Sequence, residues 1–399
     1  MNSILQLKGR FEQRSNRSRP GSPKLPKGKS VSASHLRELE KQLERILVYW
    51  TENKDIRGAL VSVHYKHIVA KSNRLKILLS ENGKSPTESI RGAKFVWEPD
   101  QKGNEVQKHV FTHFVSLQAI EKSIDVLKKT ASIIEQYYKG SVPSEVIEEL
   151  GEKYHFNEVP KTSFLKTVVD GFYVERFDID RATEEITEEA IITIYQTGVD
   201  TKRLLSKFGI DIVDDRIIDG TTLRLNPDEV KLLYNNASYL IAMGVTDFSE
   251  ISRDDVLDAY EDMEEDAGLL IPHPQNEPVI GVIDTQFNEK VYFHEWVEYK
   301  NLLDPNIPLS RKDYEHGTAV SYIIVDGPQG NPELADGCGR FRVRHFGVAT
   351  NNGFSSFTVL KMIRNIVASN RDIKVWNLSL GSKLEIKPNF ISPEAAELD

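Results

Sequence analysis

The chain has 399 residues, of which 28% are charged and 39% hydrophobic, and its net charge is −9. That length exceeds the ~250–300 residues one hydrophobic core usually serves, so more than one domain is expected. No run approaches the ~18 apolar residues of a spanning helix, the first residues lack the apolar core of a secretory signal, and the single cysteine, Cys338, excludes an internal disulfide framework and a Cys-rich zinc site. The composition points to a cytoplasmic protein with no membrane contact.

The charge is unevenly placed. Residues 1–30 hold eight Lys or Arg against Glu12 alone, and 1–33 reads as a basic, disordered arm bearing Pro, Gly and Ser. Such an arm could touch nucleic acid or another acidic partner, but only Phe11 interleaves these charges, so stacking on nucleic-acid bases has little support.

Beyond the arm, Ser34 is expected to cap a helix whose apolar residues Leu36, Leu39, Leu43, Ile46, Leu47 and Trp50 recur at helical spacing. ALVSVHY (59–65) reads as a strand, 68–80 as a helix and HVFTHFV (109–115) as a second strand. Leu117, Ile120, Ile124, Leu127, Ala131 and Ile134 then share one helix face. Residues 34–150 are thus expected to form an α+β unit. A second unit is expected over 160–250. There 164–177 reads as a strand or hairpin, 184–208 as a helix, and 221–245 as strand–helix–strand. In that last segment Asn226 can cap, Pro227 suits the first turn, and Glu229 stands at capping-box spacing. Residues 251–278 read as a linker, acidic at first and then proline-bearing. Its carboxylates lack the glycine and alternating ligands of a calcium loop, and no other metal site is expected.

From Val279 the texture changes. VIGVID (279–284) is a continuous apolar run ending in an acid, the pattern of a parallel strand covered on both faces. Asp284 would stand at its carboxyl end, where open α/β sheets place their sites. Thirty-two residues on, EHGTAVSYIIV (315–325) reads as a buried helix with His316 in its first turn, and Gly317 would leave room for a close neighbour. A buried carboxylate can fix an imidazole's tautomer and steady its cation, so the two make a candidate acid–base couple. FRVRHFGV (341–348), SSFTVLKMIRNIVASN (355–370) and KVWNLSLGS (374–382) follow as strand, helix and strand, which implies right-handed crossovers and a parallel sheet.

Three of these blocks together resemble the subtilisin-like serine peptidases, the subtilases. The family's Asp motif, an apolar strand ending Asp-Ser/Thr-Gly, reads here Val282-Ile283-Asp284-Thr285-Gln286. Its His-Gly-Thr-His-Val-Ala-Gly motif reads His316-Gly317-Thr318-Ala319-Val320-Ser321-Tyr322. Its substrate-lining Asn-Met-Ser-Leu-Gly reads Asn377-Leu378-Ser379-Leu380-Gly381. The resemblance covers 279–399. It implies an α/β fold, part of a subtilisin-like parallel sheet with flanking helices, preceded by the α+β N-terminal region. It also implies that Asp284 orients His316, that His316 is the general base, and that Ser379, Leu380 and Gly381 pair with an extended peptide substrate as an added strand. No cofactor is implied.

Departures surround the couple without touching it: Gln286 replaces the family's Gly, and Ala319 and Tyr322 replace the second His and a Gly. The family's oxyanion Asn and its Gly-Thr-Ser-Met-Ala nucleophile motif do not occur. None of Ser321, Ser355, Ser356, Ser369, Ser379, Ser382 or Ser392 sits in such a context. The expectation is a serine endopeptidase truncated before its nucleophile, and the alternative is a non-catalytic relative that binds peptides or a partner. The resemblance further implies a propeptide-like or recognition role for 160–250, a protein or peptide substrate, and an AAA-type ATPase as a possible partner.

Overall fold

A computed structural model describes residues 24–398 except 82–83, 100–102, 151–153, 184–185, 250–270, 336, 352 and 381–391. The basic arm up to residue 23, most of the acidic linker and Gly381 lie outside the described residues. The described residues divide into two compact units: those up to Thr187 together with Ile192–Gly244, and Glu188–Ile191 together with Val245 onward. Among the described residues, no helix is long and apolar enough to cross a membrane.

In the first unit, β1 (Ser30–Ser32) and β5 (Ser141–Pro143) form a short antiparallel pair. The larger sheet has the order β3-β4-β2-β6, from β2 (Ala59–Tyr65), β3 (Ile90–Pro99), β4 (Glu105–Val115) and β6 (Val174–Asp178). All its pairings are antiparallel. The helices Ala33–Glu52 and Leu117–Tyr137 bury the apolar faces that their spacing predicts, with Leu36, Leu39, Leu43 and Trp50 on the first and Ile120, Leu127, Ala131 and Ile134 on the second. The Trp50 indole also donates to Leu60 O across 3.1 Å.

Four local expectations are corrected here. Ser32, not Ser34, caps the first helix: its backbone is extended and its hydroxyl accepts from the His35 N–H. Residues 68–80 hold only one 3₁₀ turn, Lys71–Asn73. The buried Asp170 carboxylate takes the N–H groups of Lys76, Ile77 and Leu78, and the Ser123 hydroxyl takes that of Leu79, so these donors are satisfied without a helix. Residues 164–177 are a helix, Lys161–Tyr173, running into β6. Phe164, Leu165, Val168 and Val169 are buried at helical spacing, which overrides the strand preference of the aromatic Phe164 and the β-branched valines. Residues 184–208 contain β7 (Ala190–Ile194) and a short helix, Thr201–Ser206, capped by Asp200. The expected strand–helix–strand is present: β9 (Thr222–Leu225), pairing with β8 (Ile217–Ile218), then the helix Pro227–Ala237 and β10 (Ile241–Thr246). Asn226 and Glu229 form the reciprocal capping box at 2.9 Å in each direction.

In the second unit, β11 (Phe248–Ser249) runs antiparallel to β15 (Phe354–Ser355). The main sheet has the order β13-β14-β12-β16, from β12 (Val279–Asp284), β13 (Val297–Asn301), β14 (Arg342–Gly347) and β16 (Val375–Leu378). Every pairing is parallel, with Val282 opposite both His345 and Asn377. Residue alternation then sorts the two faces. Val282 and Val343 pack with Phe287, Phe293, Ala319 and Val325 toward the helix Glu315–Gly330, which loses helical geometry at Asp326. Ile283 and Phe346 pack with Val359, Ile363 and Ile366 of the helix Ser356–Ser369. A strand covered on both sides must be apolar throughout, which is why VIGVI shows no alternation.

Candidate active site

The parity that points Val282 at the helix Glu315–Gly330 points Asp284 the same way, at the carboxyl edge of β12. Asp284 is 0% exposed. A carboxylate there is tolerated only if paired, since desolvation costs several kcal/mol. Its Oδ1 lies 2.6 Å from His316 Nδ1 and also accepts the Thr285 N–H at 2.6 Å. The His316 side chain is 24% exposed, so one end of the ring is anchored in the interior while the ring itself reaches the surface. The carboxylate can only accept, so the bond requires the proton on Nδ1 and makes Nε2 the basic nitrogen.

His316 sits one residue into its helix, and the chain is steered there by the turn Arg311–Tyr314. That turn is capped by Ser310 and Asp313, whose carboxylate accepts from the Ser310 N–H and hydroxyl. The other Asp313 oxygen accepts from Asn351 N–H at 2.7 Å, and Asp313 O accepts from Gln286 N–H at 2.9 Å. Gly317 does leave room for neighbours: a Cβ there would lie 2.6 Å from Gln286 O and 2.8 Å from both Thr285 O and His345 Cε1. Its N–H donates to Thr285 Oγ1 at 2.9 Å, which joins the helix start to the residue after Asp284.

Gln286, the most conspicuous departure, is buried with both ends of its amide bonded. Its Oε1 accepts from Tyr299 OH at 2.6 Å and its Nε2 donates to Ala349 O at 2.9 Å. The space comes from the neighbouring strand, because a Cβ at Gly347 would collide with the Gln286 amide. A glycine on β14 thus makes room for the side chain that a glycine at 286 would lack.

Ser379 and Leu380 follow β16 at the same edge of the sheet as Asp284, both half-buried. Ser379 Oγ donates to Asn377 Oδ1 at 2.7 Å, and Leu380 packs on the cluster around Ile283 and Phe346. Gly381 lies outside the described residues. Sequence reasoning missed His345 and treated Ser321 only as a nucleophile candidate. His345 is 0% exposed, with Nδ1 2.9 Å from Ser321 Oγ and Nε2 2.8 Å from Thr285 O. Burial lowers its pKa, against a smaller raising effect of the bond to Thr285 O and of the Asp284 charge. The signal lay in RVRHFGV, where a histidine shares inward parity with Val343.

A parallel sheet whose first strand ends in a buried aspartate, bonded to a histidine opening the next helix, defines an α/β domain with an aspartate–histidine pair at one edge of its sheet. Residues 275–398 match the model of the Subtilase family, which supports a subtilisin-like peptidase domain in this part of the chain. No curated protein and no solved structure gives a significant match to the chain.

Proposed function

We propose that this chain supplies the aspartate and histidine of an Asp-His-Ser endopeptidase, with the serine and the oxyanion asparagine outside residues 1–399. The observation that carries this reading is the 2.6 Å bond between a fully buried Asp284 and a surface-reaching His316. Asp284 holds the ring in the Nδ1–H form, Nε2 removes the proton of an attacking hydroxyl, and the carboxylate steadies the imidazolium that results. Ser379 and Leu380 offer the edge on which an extended peptide would add as a strand.

For the region before the peptidase segment, a propeptide-like role is supported by Asp247. Its carboxylate takes the Ser355 hydroxyl and the Phe357 N–H, both at 2.8 Å, while β11 lies along β15. A chain segment that caps the helix Ser356–Ser369 could assist the peptidase segment to fold. A cytoplasmic setting and an AAA-type ATPase partner are proposals that rest on the family resemblance alone.

The test is the coding sequence after codon 399, together with fluorophosphonate labelling of its product. A Gly-Thr-Ser motif whose serine is labelled, and whose labelling depends on His316, supports the endopeptidase. A product without the motif that still binds peptides supports the non-catalytic alternative.

A further inference from the structure

The couple is not held by Asp284 and His316 alone. A second histidine, on a different strand, is tied to the backbone between them. Thr285 is the hub: its N–H is bonded to Asp284 Oδ1, its hydroxyl receives the Gly317 N–H, and its carbonyl faces His345 Nε2 at 2.8 Å. A carbonyl can only accept, so Nε2 carries the His345 proton and Nδ1 is bare. The Ser321 hydroxyl, 2.9 Å away, then donates to Nδ1. Ser321 is in the helix that begins with His316, and His345 is in the middle of β14.

The ring has no freedom to turn. It packs against Phe287 and Tyr299 with centroids 5.7 Å from each, and Cε1 is one of the atoms that forbid a Cβ at 317. Ser321, His345, Thr285 and Gly317 therefore close a ring of contacts from the helix, across the sheet, to the loop after Asp284 and back to the helix start. The whole ring is buried, where polar bonds are strong and a missing partner is costly.

We infer that His345, locked by Ser321 and Thr285, is a positioning residue for the Asp284–His316 couple, fixing the distance and angle at which the carboxylate meets the imidazole. This rests on the proposed acid–base role of the couple. His345 itself makes no contact with a reacting atom and acts through Thr285. Glutamine can replace it, because an amide offers one N–H for Thr285 O and one oxygen for the Ser321 hydroxyl. Leucine offers neither.

The experiment uses the 399-residue chain with ¹⁵N-labelled histidine. Ring nitrogen shifts report which His316 nitrogen is protonated, and exchange of its low-field Nδ1 proton reports how tightly Asp284 holds it. Asp284→Asn must abolish the Nδ1–H preference; if it does not, the acid–base reading itself fails, whatever His345 does. With that established, His345→Leu and Ser321→Ala should each speed exchange of the His316 Nδ1 proton about tenfold, the loss of roughly one hydrogen bond, while His345→Gln should leave it within about twofold. Folding is checked by thermal unfolding of each variant. Should His345→Leu not fold, Ser321→Ala and His345→Gln decide. Unchanged His316 exchange in a folded His345→Leu or Ser321→Ala chain overturns the inference, as does a His345→Gln chain that behaves like leucine.

Discussion

Replacing Gly317 by alanine sets two effects of opposite sign against each other. Alanine is the better helix former by about 1 kcal/mol in a helix interior, and by less in a first turn such as this one. Against that gain, the new methyl group would stand 2.6–2.8 Å from two backbone carbonyl oxygens and one ring carbon. Neither carbonyl can retreat cheaply: Thr285 O accepts from His345, and the Gln286 backbone is held by its N–H to Asp313 O. Overpacking of this kind costs about 1–3 kcal/mol, so Gly317→Ala should be net destabilising by about 1–2 kcal/mol. The loss should be local, appearing as amide exchange about tenfold faster over 315–325, measured by mass spectrometry, with the sheet unit of residues 59–178 unchanged. Exchange equal to or slower than wild type would show that the helix start is not packed as described.

Gln286 and Gly347 should be coupled: Gly347→Ala alone and Gln286→Gly alone should each cost about 1–3 kcal/mol by denaturant unfolding, and the double variant should cost clearly less than their sum. Two buried groups of the first unit should oppose each other in acid. Burial lowers His113 to about 3 from 6.5, so its contribution to stability is lost as pH falls below 6.5. Burial raises Asp170 to about 6 from 3.8, so its contribution is largest below pH 4 and is lost as pH rises through 6. Asp170→Asn should therefore steepen the loss of stability between pH 6 and 4, and His113→Asn should flatten it, as read from urea midpoints. The 399-residue chain should show no fluorophosphonate labelling at any serine, since none stands in the Gly-Thr-Ser-Met-Ala context of the family's nucleophile; a labelled serine found by peptide mapping would contradict the proposed division of the triad.

The peptidase segment was legible because its elements are governed by burial. Strands covered on both faces must be continuously apolar, as VIGVI is, and the helix Ser356–Ser369 carries Phe357, Leu360, Ile363 and Ile366 at the spacing of one face. Asp284 and His316 were legible because local motifs carry them. What local pattern could not convey were bonds between distant residues. Residues 76–79 look helical until Asp170 and Ser123, about 90 and 40 residues away, take their N–H groups. β6 likewise joins β2 across more than a hundred residues. The same limit applied at the site. Gln286 looked like a lost glycine because its room is provided by Gly347 on another strand, and His345, inward by parity alone, gains its partners Thr285 and Ser321 only through the register that places it opposite Val282.

The most direct measurement is peptide hydrolysis by a product that carries both this chain and a nucleophile motif, with Asp284→Asn as the variant. If Asp284 fixes the His316 tautomer, kcat should fall by about four orders of magnitude with little change in KM, because the wrong nitrogen then carries the proton. A kcat within about tenfold of wild type, in a folded Asp284→Asn protein, would contradict the assignment of Asp284 and His316 as the working couple.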